Sequence, residues 1–448
     1  MSRDHDIDLA PLRDAAQLAE YFAAGAKPEA ERGIGTEHEK FGFDRASGRP
    51  LPFDGAKGIE ALLLRLADQG GGSPILDAGR CIGVQLDGAT VTLEPGGQLE
   101  LSGRVTRTAV ETRDEIRDHL RDVQRIGAEL DQRWCFFGMT PWAGLDDVPW
   151  MPKSRYRVMR PYLERQGSDA HWMMKMTCTV QANLDFRSER DAMAMLGLVA
   201  RLNPLVTAIW AASPSRQGVQ RGMVSERMEV WQHTDPQRCG TPAFMLDDEA
   251  GFERYVEWLL DIPMFFIRRD GAYVDWSGRS FRTHLRGGYG VTPVLGDWEL
   301  HLSTAFPDVR LKRFIETRTA DCGPPPMLWA LTAFWRGILY DDGARDRARS
   351  IVDVESPARL AALALESRGL GLAGTHDGRR IRDLATEVIE VARRGLASQP
   401  GGTADAALLD ALLDHRGEAT SPAERLGAEL RTLPVAEVQE RYAIEAWL

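Results

Sequence analysis

No Cys-x-x-Cys pair occurs in this 448-residue chain. Its five cysteines, Cys81, Cys135, Cys178, Cys239 and Cys322, are scattered and odd in number. That excludes a zinc ribbon and a secreted disulfide framework, and leads us to expect a reduced, cytoplasmic protein. No Gly-x-x-x-x-Gly-Lys-[Ser/Thr] loop is present, which excludes a Walker-type nucleotide site. The His-rich ligand sets of zinc hydrolases are missing too, which counts against a metal hydrolase with water as its nucleophile. No apolar run reads as long enough to cross a bilayer, and the opening Met1-Ser2-Arg3-Asp4-His5-Asp6 lacks the apolar core of a signal peptide. Positive charge is not in excess. The net charge of -11 gives a nucleic-acid partner no general help, so neither nucleic acid nor membrane is expected as a partner. Internal repeats and low-complexity tracts are also absent.

What is present is a globular composition, 43% hydrophobic and 27% charged, in a chain long enough for two or three domains. The stretch Gly33-Ile34-Gly35-Thr36-Glu37-His38-Glu39-Lys40-Phe41-Gly42-Phe43 alternates with period two. As a strand it puts Glu37, Glu39 and Phe41 on one face and His38, Lys40 and Gly42 on the other. Two carboxylates on one face of a buried strand need a positive partner. A hard cation such as Mg²⁺ suits them; a solvated edge strand is the other reading. His38, opposite the acids, reads as structural or as a support behind the ligands.

Helices are predicted over 12–26, 58–69, 110–131, 192–212 and 252–260, each from apolar residues at helical spacing. Strands are predicted over 81–86 and 90–94 around Asp87-Gly88, over 98–102, 135–139 and 176–186, and as one charged strand over 310–318. A hairpin is expected from 264–267 with 273–275. From Arg345 the chain turns rich in Ala, Leu and Arg and helical. Regular strand–helix alternation is missing, so an α+β fold with an antiparallel sheet is expected rather than a doubly wound one.

Four of these segments offer functional groups on one face: Glu37/Glu39; Glu94, Gln98 and Glu100; Thr179, Gln181 and Asn183; and Arg310, Lys312, Glu316 and Arg318. If they share a sheet, one face becomes a cup of acids with Lys312 and Arg318 near. Such a cup suits a metal–nucleotide site, where cations bridge carboxylates to phosphate and Arg neutralises developing charge. A basic cluster runs from Lys153 through Arg155, Arg157 and Arg160 to Arg165. Arg227, near Trp231, reads either as a carboxylate clamp or as a surface arginine paired with Glu226 or Glu229; the residues alone favour the second. Gly96-Gly97 reads as an ordinary turn.

Several motifs resemble those of glutamate–cysteine ligases of the plant and proteobacterial type. They are Gly35 to Phe43, Leu93-Glu94-Pro95-Gly96-Gly97-Gln98-Leu99-Glu100-Leu101-Ser102-Gly103, Met151 to Tyr156, Thr177-Cys178-Thr179-Val180-Gln181-Ala182-Asn183-Leu184-Asp185-Phe186, and Asp297-Trp298-Glu299. Phe306 to Arg313, Phe334-Trp335 and Leu339-Tyr340-Asp341-Asp342 continue the match in order. The resemblance implies a glutamine-synthetase-like fold, a curved and mainly antiparallel sheet flanked by helices. It implies a catalytic unit over residues 1–342 and a helical C-terminal region over 343–448.

The implied reaction is the ATP-dependent joining of the γ-carboxylate of glutamate to the amine of cysteine through an acyl phosphate. Mg²⁺ is the implied ion, with Mn²⁺ as the alternative cation, and ATP is the co-substrate. By the resemblance, Glu37, Glu39, Glu94, Glu100 and Glu316 hold metal, and Arg318 and Lys312 are catalytic. Gln181, Asn183, Arg227, Trp231 and Met176 face nucleotide or substrate, Arg227 holding the α-carboxylate of glutamate. The implied partners are small molecules, and a monomer or homodimer is expected. The chain departs from the family at Met176, where arginine is usual, at Thr319 and Cys322, where glycine is usual, at Pro324-Pro325-Pro326, and at His171-Trp172. These changes keep two other readings open: the same ligation with a different amine, and a non-catalytic nucleotide-binding relative.

Overall fold

A computed structural model describes residues 7–448. Its organising element is the eleven-residue strand β1 (Ile34–Asp44), whose first ten residues are all buried. Eight further strands build the main sheet: β2 (Ser73–Asp77), β3 (Arg80–Gln85), β4 (Thr90–Leu93), β5 (Leu99–Ser102), β6 (Gln132–Cys135), β7 (Val180–Leu184), β8 (Val309–Leu311) and β9 (Ile315–Thr317). Their order is β8-β9-β7-β1-β5-β4-β3-β2, with β6 paired to the far end of β1. Every pairing in this sheet is antiparallel.

The two faces of β1 have different neighbours. On the outer face the Thr36 hydroxyl meets that of Thr332 at 3.0 Å, in the helix Pro325–Leu339. His38 packs edge-on to His119 of the helix Ala109–Glu129, ring centroids 5.7 Å apart. Burial holds both imidazoles well below their usual value, so they are neutral core residues. The other face carries Glu37 and Glu39 into the cup described below.

The helix Ala109–Glu129 starts where the sequence says it should. Thr108 and Glu111 form a reciprocal capping box. Its free N-terminal N–H groups also find a distant acceptor: the buried Asp405 carboxylate takes Ala109 N at 2.9 Å and Val110 N at 3.0 Å, and Arg336 Nη1 at 2.7 Å. The C-terminal helices, among them Pro357–Leu370 and Ile381–Ala397, pack on the helices Glu189–Trp210 and Pro325–Leu339.

Most predicted elements occur within a few residues, and four expectations need correction. The strand expected over 135–139 is β6, displaced towards the N-terminus. The segment 176–186 is a strand only over β7; Met176 closes the helix Ala170–Met176. The single strand expected over 310–318 is a hairpin, turned at Lys312–Phe314 by Lys312 N donating to Phe314 O at 2.8 Å. The helix Glu189–Trp210 is in fact long and apolar enough to cross a membrane. It lies 89% buried in the core, so its apolarity is spent on protein packing. All five cysteines are free, Cys239 half-buried and the others buried.

Asp405→Ala is expected to destabilise the protein by about 3–5 kcal/mol, because it strands Arg336 as an uncompensated buried charge and frees two helix N–H groups. Equilibrium denaturation of the full chain measures this.

Candidate active site

Pairing registers place the functional side chains in rows across the sheet. Along β1 the cup face presents Gly35, Glu37 and Glu39 in steps of two. In the first row Gly35 lies beside Asn183 of β7, which lies beside Glu316 of β9, which lies beside Arg310 of β8. In the second, Gln181 flanks Glu37 on one side and Ser102 on the other, with Thr90 beyond. In the third, Glu39 faces Glu100 of β5, with Thr92 next. Directly opposed like charges in a sheet are unfavourable, so the Glu39–Glu100 pair marks a place kept for something cationic.

These rows floor a cavity of about 460 Å³. Glu37, Glu39, Glu94 and Glu100 line it, as do Gln181, Arg227, Trp231, Lys312 and Arg318. Burial pushes the Glu39 carboxyl well up, with Glu94 and Glu100 adding repulsion. Glu100 is pushed up to about 7 by burial, Glu37 and Glu94. Glu94 sits at the turn Glu94–Gln98, where Gly97 adopts φ +85°. Gly96 is more than an ordinary turn residue: a Cβ there would meet the Lys175 carbonyl oxygen at 2.2 Å. The Gln98 amide donates to Thr177 O at 2.9 Å and so ties this turn to the segment before β7.

The opposite end of the cavity is cationic. Glu316 lies behind the cavity wall, fully buried, and accepts from Arg310 through both carboxylate oxygens. Lys312 stands 3.5 Å and Arg318 3.6 Å from it. Burial alone would raise the Glu316 carboxyl, but Arg310, Lys312 and Arg318 hold it well below the usual range. Arg318 Nη1 also donates to Gln181 Oε1 at 3.2 Å, and its guanidinium lies 5.8 Å from the Trp231 ring.

Arg227 is not the surface arginine that the residues alone favoured. It is 2% exposed; Glu226 pairs instead with Arg221, and Glu229 with Arg368. Its Nη2 donates to Arg318 O at 2.9 Å. Its Nε, and Nε1 of Trp231, have no acceptor among the described residues.

Besides Glu316, two expected residues are not brought into the cavity lining. Asn183 donates to Glu37 Oε1 at 2.9 Å and supports that carboxylate from behind. Met176 is fully buried outside the lining. Cys322 is buried as well, its thiol donating to Glu39 O at 2.8 Å. Sequence reasoning assigned no role to Lys153 and Arg155, which line the cavity. The signal was there: two basic residues at i and i+2 in Met151-Pro152-Lys153-Ser154-Arg155. The Asp77 carboxylate anchors that loop by accepting from Ser154 N and Oγ, each at 2.6 Å. Arg310 was seen as part of a charged strand, but its pairing with Glu316 follows only from the hairpin.

Carboxylates and guanidinium and ammonium groups gathered in one cavity, over an antiparallel sheet backed by helices, suit a ligase that handles a charged nucleotide beside a carboxylate. The match to the family model described as glutamate-cysteine ligase family 2 (GCS2) spans residues 33–433, and the chain belongs to that family. Among curated relatives, glutamate–cysteine ligase A of Oryza sativa subsp. indica is 39% identical over 432 residues, covering 93% of this chain and 86% of the relative. The Arabidopsis thaliana enzyme is 38% identical over 416 residues, covering 91% and 78%. The fold also matches the crystal structure of a glutamate–cysteine ligase from Francisella tularensis in complex with AMP, with a TM-score of 0.58 at 11% identity, covering 98% of this chain and 90% of that one.

The relatives correct one expectation. Those from rice, Medicago truncatula and Arabidopsis thaliana are named chloroplastic, which overturns the cytoplasmic reading. That reading rested on unpaired cysteines, and thiols report a reducing environment rather than a compartment.

The raised Glu100 carboxyl has a consequence for stability. Between its ordinary value of 4.5 and about 7, the folded chain holds a proton that the unfolded chain has released. The contribution of this group to stability therefore falls as pH rises through that window. Thermal melts of metal-free protein are expected to show it, and Glu100→Gln should flatten the dependence between pH 5 and pH 7.

Proposed function

We propose that this chain forms γ-glutamylcysteine from L-glutamate and L-cysteine with hydrolysis of ATP to ADP, a step of glutathione biosynthesis. Membership of the family and the curated relatives named for that activity support it. The observation that carries the site assignment is the facing pair Glu39–Glu100 within a cavity whose other wall is Arg227, Lys312 and Arg318.

A divalent cation fits the acidic end. The donors are hard carboxylate oxygens, and burial raises two of the carboxyls, with neighbouring acids adding repulsion. No group of three or more His, Cys, Asp or Glu among the described residues forms a ready metal cage. Mg²⁺ requires none, since it is commonly held by one or two carboxylates, water and substrate phosphate. In this reading Glu37, Glu39, Glu94 and Glu100 hold Mg²⁺, which supplies charge neutralisation at the nucleotide phosphates. Glu316 is the least suited of the five acids, because Arg310 occupies both its oxygens.

The chemistry asks the chain's own residues for two things. The γ-carboxylate of glutamate is a poor electrophile until one oxygen becomes a phosphate leaving group. Arg318 and Lys312 stabilise charge on the transferring phosphoryl and on the acyl phosphate, held in pose by the buried Glu316. Arg227, with an unsatisfied N–H beside the unsatisfied indole of Trp231, takes the α-carboxylate of glutamate. Gln181 is held by Arg318 at the boundary between the two ends.

The argument for a different amine rested on Met176, Thr319, Cys322, Pro324-Pro325-Pro326 and His171-Trp172. None of these residues lines the cavity, which favours cysteine as the acceptor. The proposed division at residue 342 puts every lining residue in the first part, while the helices beyond it support the outer side of the sheet.

Steady-state ADP release, with glutamate as donor and cysteine among a panel of amines, tests this reading. Cysteine should give the highest rate. Glu39→Ala should lower kcat by about 10²–10³-fold. Arg227→Ala should raise KM for glutamate by about 10–100-fold, the loss expected of a charged hydrogen-bonded pair, with KM for ATP little changed. Full rates without ATP, or a Glu39→Ala variant of normal rate, would overturn the assignment.

A further inference from the structure

Asp321 lies in none of the sites assigned above, yet two segments, 212–213 and 225–227, meet at its carboxylate. It is 1% exposed. Oδ2 accepts from Ala212 N at 2.9 Å and from the Ser213 hydroxyl at 2.6 Å, just beyond the end of the Glu189–Trp210 helix. Oδ1 accepts from the Ser225 hydroxyl at 2.9 Å and stands 3.7 Å from Arg227 Nη1. Both serines pass the contact on. Ser213 Oγ accepts from Arg227 N at 3.1 Å. Ser225 caps the helix Glu226–Gln232, which carries Arg227 and Trp231, by accepting from Met228 N at 3.2 Å.

We infer that Asp321 is a positioning residue that fixes the Arg227 guanidinium for the carboxylate of the amino-acid substrate; this rests on the reading of Arg227 given above. The Arg227 side chain is long, and a buried arginine without a fixed anchor would have several rotamers to choose from. Here its backbone N–H, through Ser213, and the cap of its helix, through Ser225, are referred to one carboxylate, which also faces Nη1 across 3.7 Å while Nη1 donates to Thr319 O at 3.4 Å. Its other terminal nitrogen grips Arg318 O at 2.9 Å. Asp321 and Arg318 belong to the same stretch of chain leaving β9, so one short segment sets both arginines relative to each other. The position of Asp321 is itself fixed: a Cβ on Gly138 would meet its Cβ at 2.5 Å, so the neighbouring backbone leaves it no room to shift. Support of this kind around a binding group is what holds it within tolerance of its productive pose.

Asp321→Asn removes the charge and keeps the size. Steady-state ADP release is expected to show KM for glutamate raised about tenfold or more, with kcat and KM for ATP within about threefold of the parent. In an Arg227→Ala background the same change should add less than about twofold, because the group it positions is gone. Parallel loss in kcat and both KM values, or a tenfold effect that persists without Arg227, would overturn the inference. Should Asp321→Asn fail to fold, Ser213→Ala removes the acceptor of Arg227 N–H and leaves the charge in place. A selective rise in KM for glutamate is then expected, and an unchanged KM would overturn the inference. The two readings fail differently. A normal KM for glutamate in Arg227→Ala defeats the assignment of Arg227 itself. A raised KM there with a normal one in Asp321→Asn defeats only the role of Asp321.

Discussion

The structure depends on one constraint: carboxylates of like charge are held side by side on the central strand of a sheet. Glu37 and Glu39 share a face of β1, and the register of β5 sets Glu100 against Glu39. Nothing in ordinary sheet packing favours that arrangement. It is retained because the fold makes it hard to escape. The strand is buried on its outer face by Thr36, His38 and Lys40 against helices, so a slip of one residue would drive those groups into the cavity and the acids into the core. The electrostatic strain is thus stored by register.

The cationic end obeys the opposite logic. Arg310, Lys312 and Arg318 cluster within a few residues, and Glu316 keeps them together. A buried acid shared among three cations leaves a net positive wall, and Arg310, Lys312 and Arg318 all line the cavity. The sheet thus carries clustered acids on β1 and β5 and clustered cations at the β8–β9 hairpin into one cavity. A metal-bound polyphosphate beside an amino-acid carboxylate satisfies both at once. This complementarity, more than any single contact, is why a carboxylate–amine ligation suits the site.

The sequence was most legible where period-two alternation carried charge. The face of β1, the hairpin of β3 and β4, and the acids of 94–100 could be placed because a charged residue every second position has few explanations. It was least legible where a short turn reverses a charged segment. Residues 310–318 alternate well enough to read as one strand, and only the turn at Lys312–Phe314 makes Arg310 and Glu316 neighbours. Met176 misled for a related reason: a substitution at a family position says nothing about which way the side chain points, and helix geometry turned it into the core. Burial of Arg227 was invisible locally, because the acids beside it in sequence are drawn to Arg221 and Arg368, which no local pattern reveals. The motifs fared better than the periodicities, since their order along the chain already encodes the sheet.

The central position of β1 also bears on how the molecule comes into being. Its partners arrive late: Glu37 pairs with Ser102 and then with Gln181, and the pocket's far wall is completed by β9, which joins β7 rather than β1. A ribosome delivers the acidic strand almost three hundred residues before the arginines that balance it. Such long-range closure is slow, and until β7 joins, one edge of β1 is unpaired and carries apolar residues. The charges that serve the finished pocket then have an earlier use. Carboxylates along a nascent edge repel copies of themselves, and so discourage one growing chain from zipping onto another.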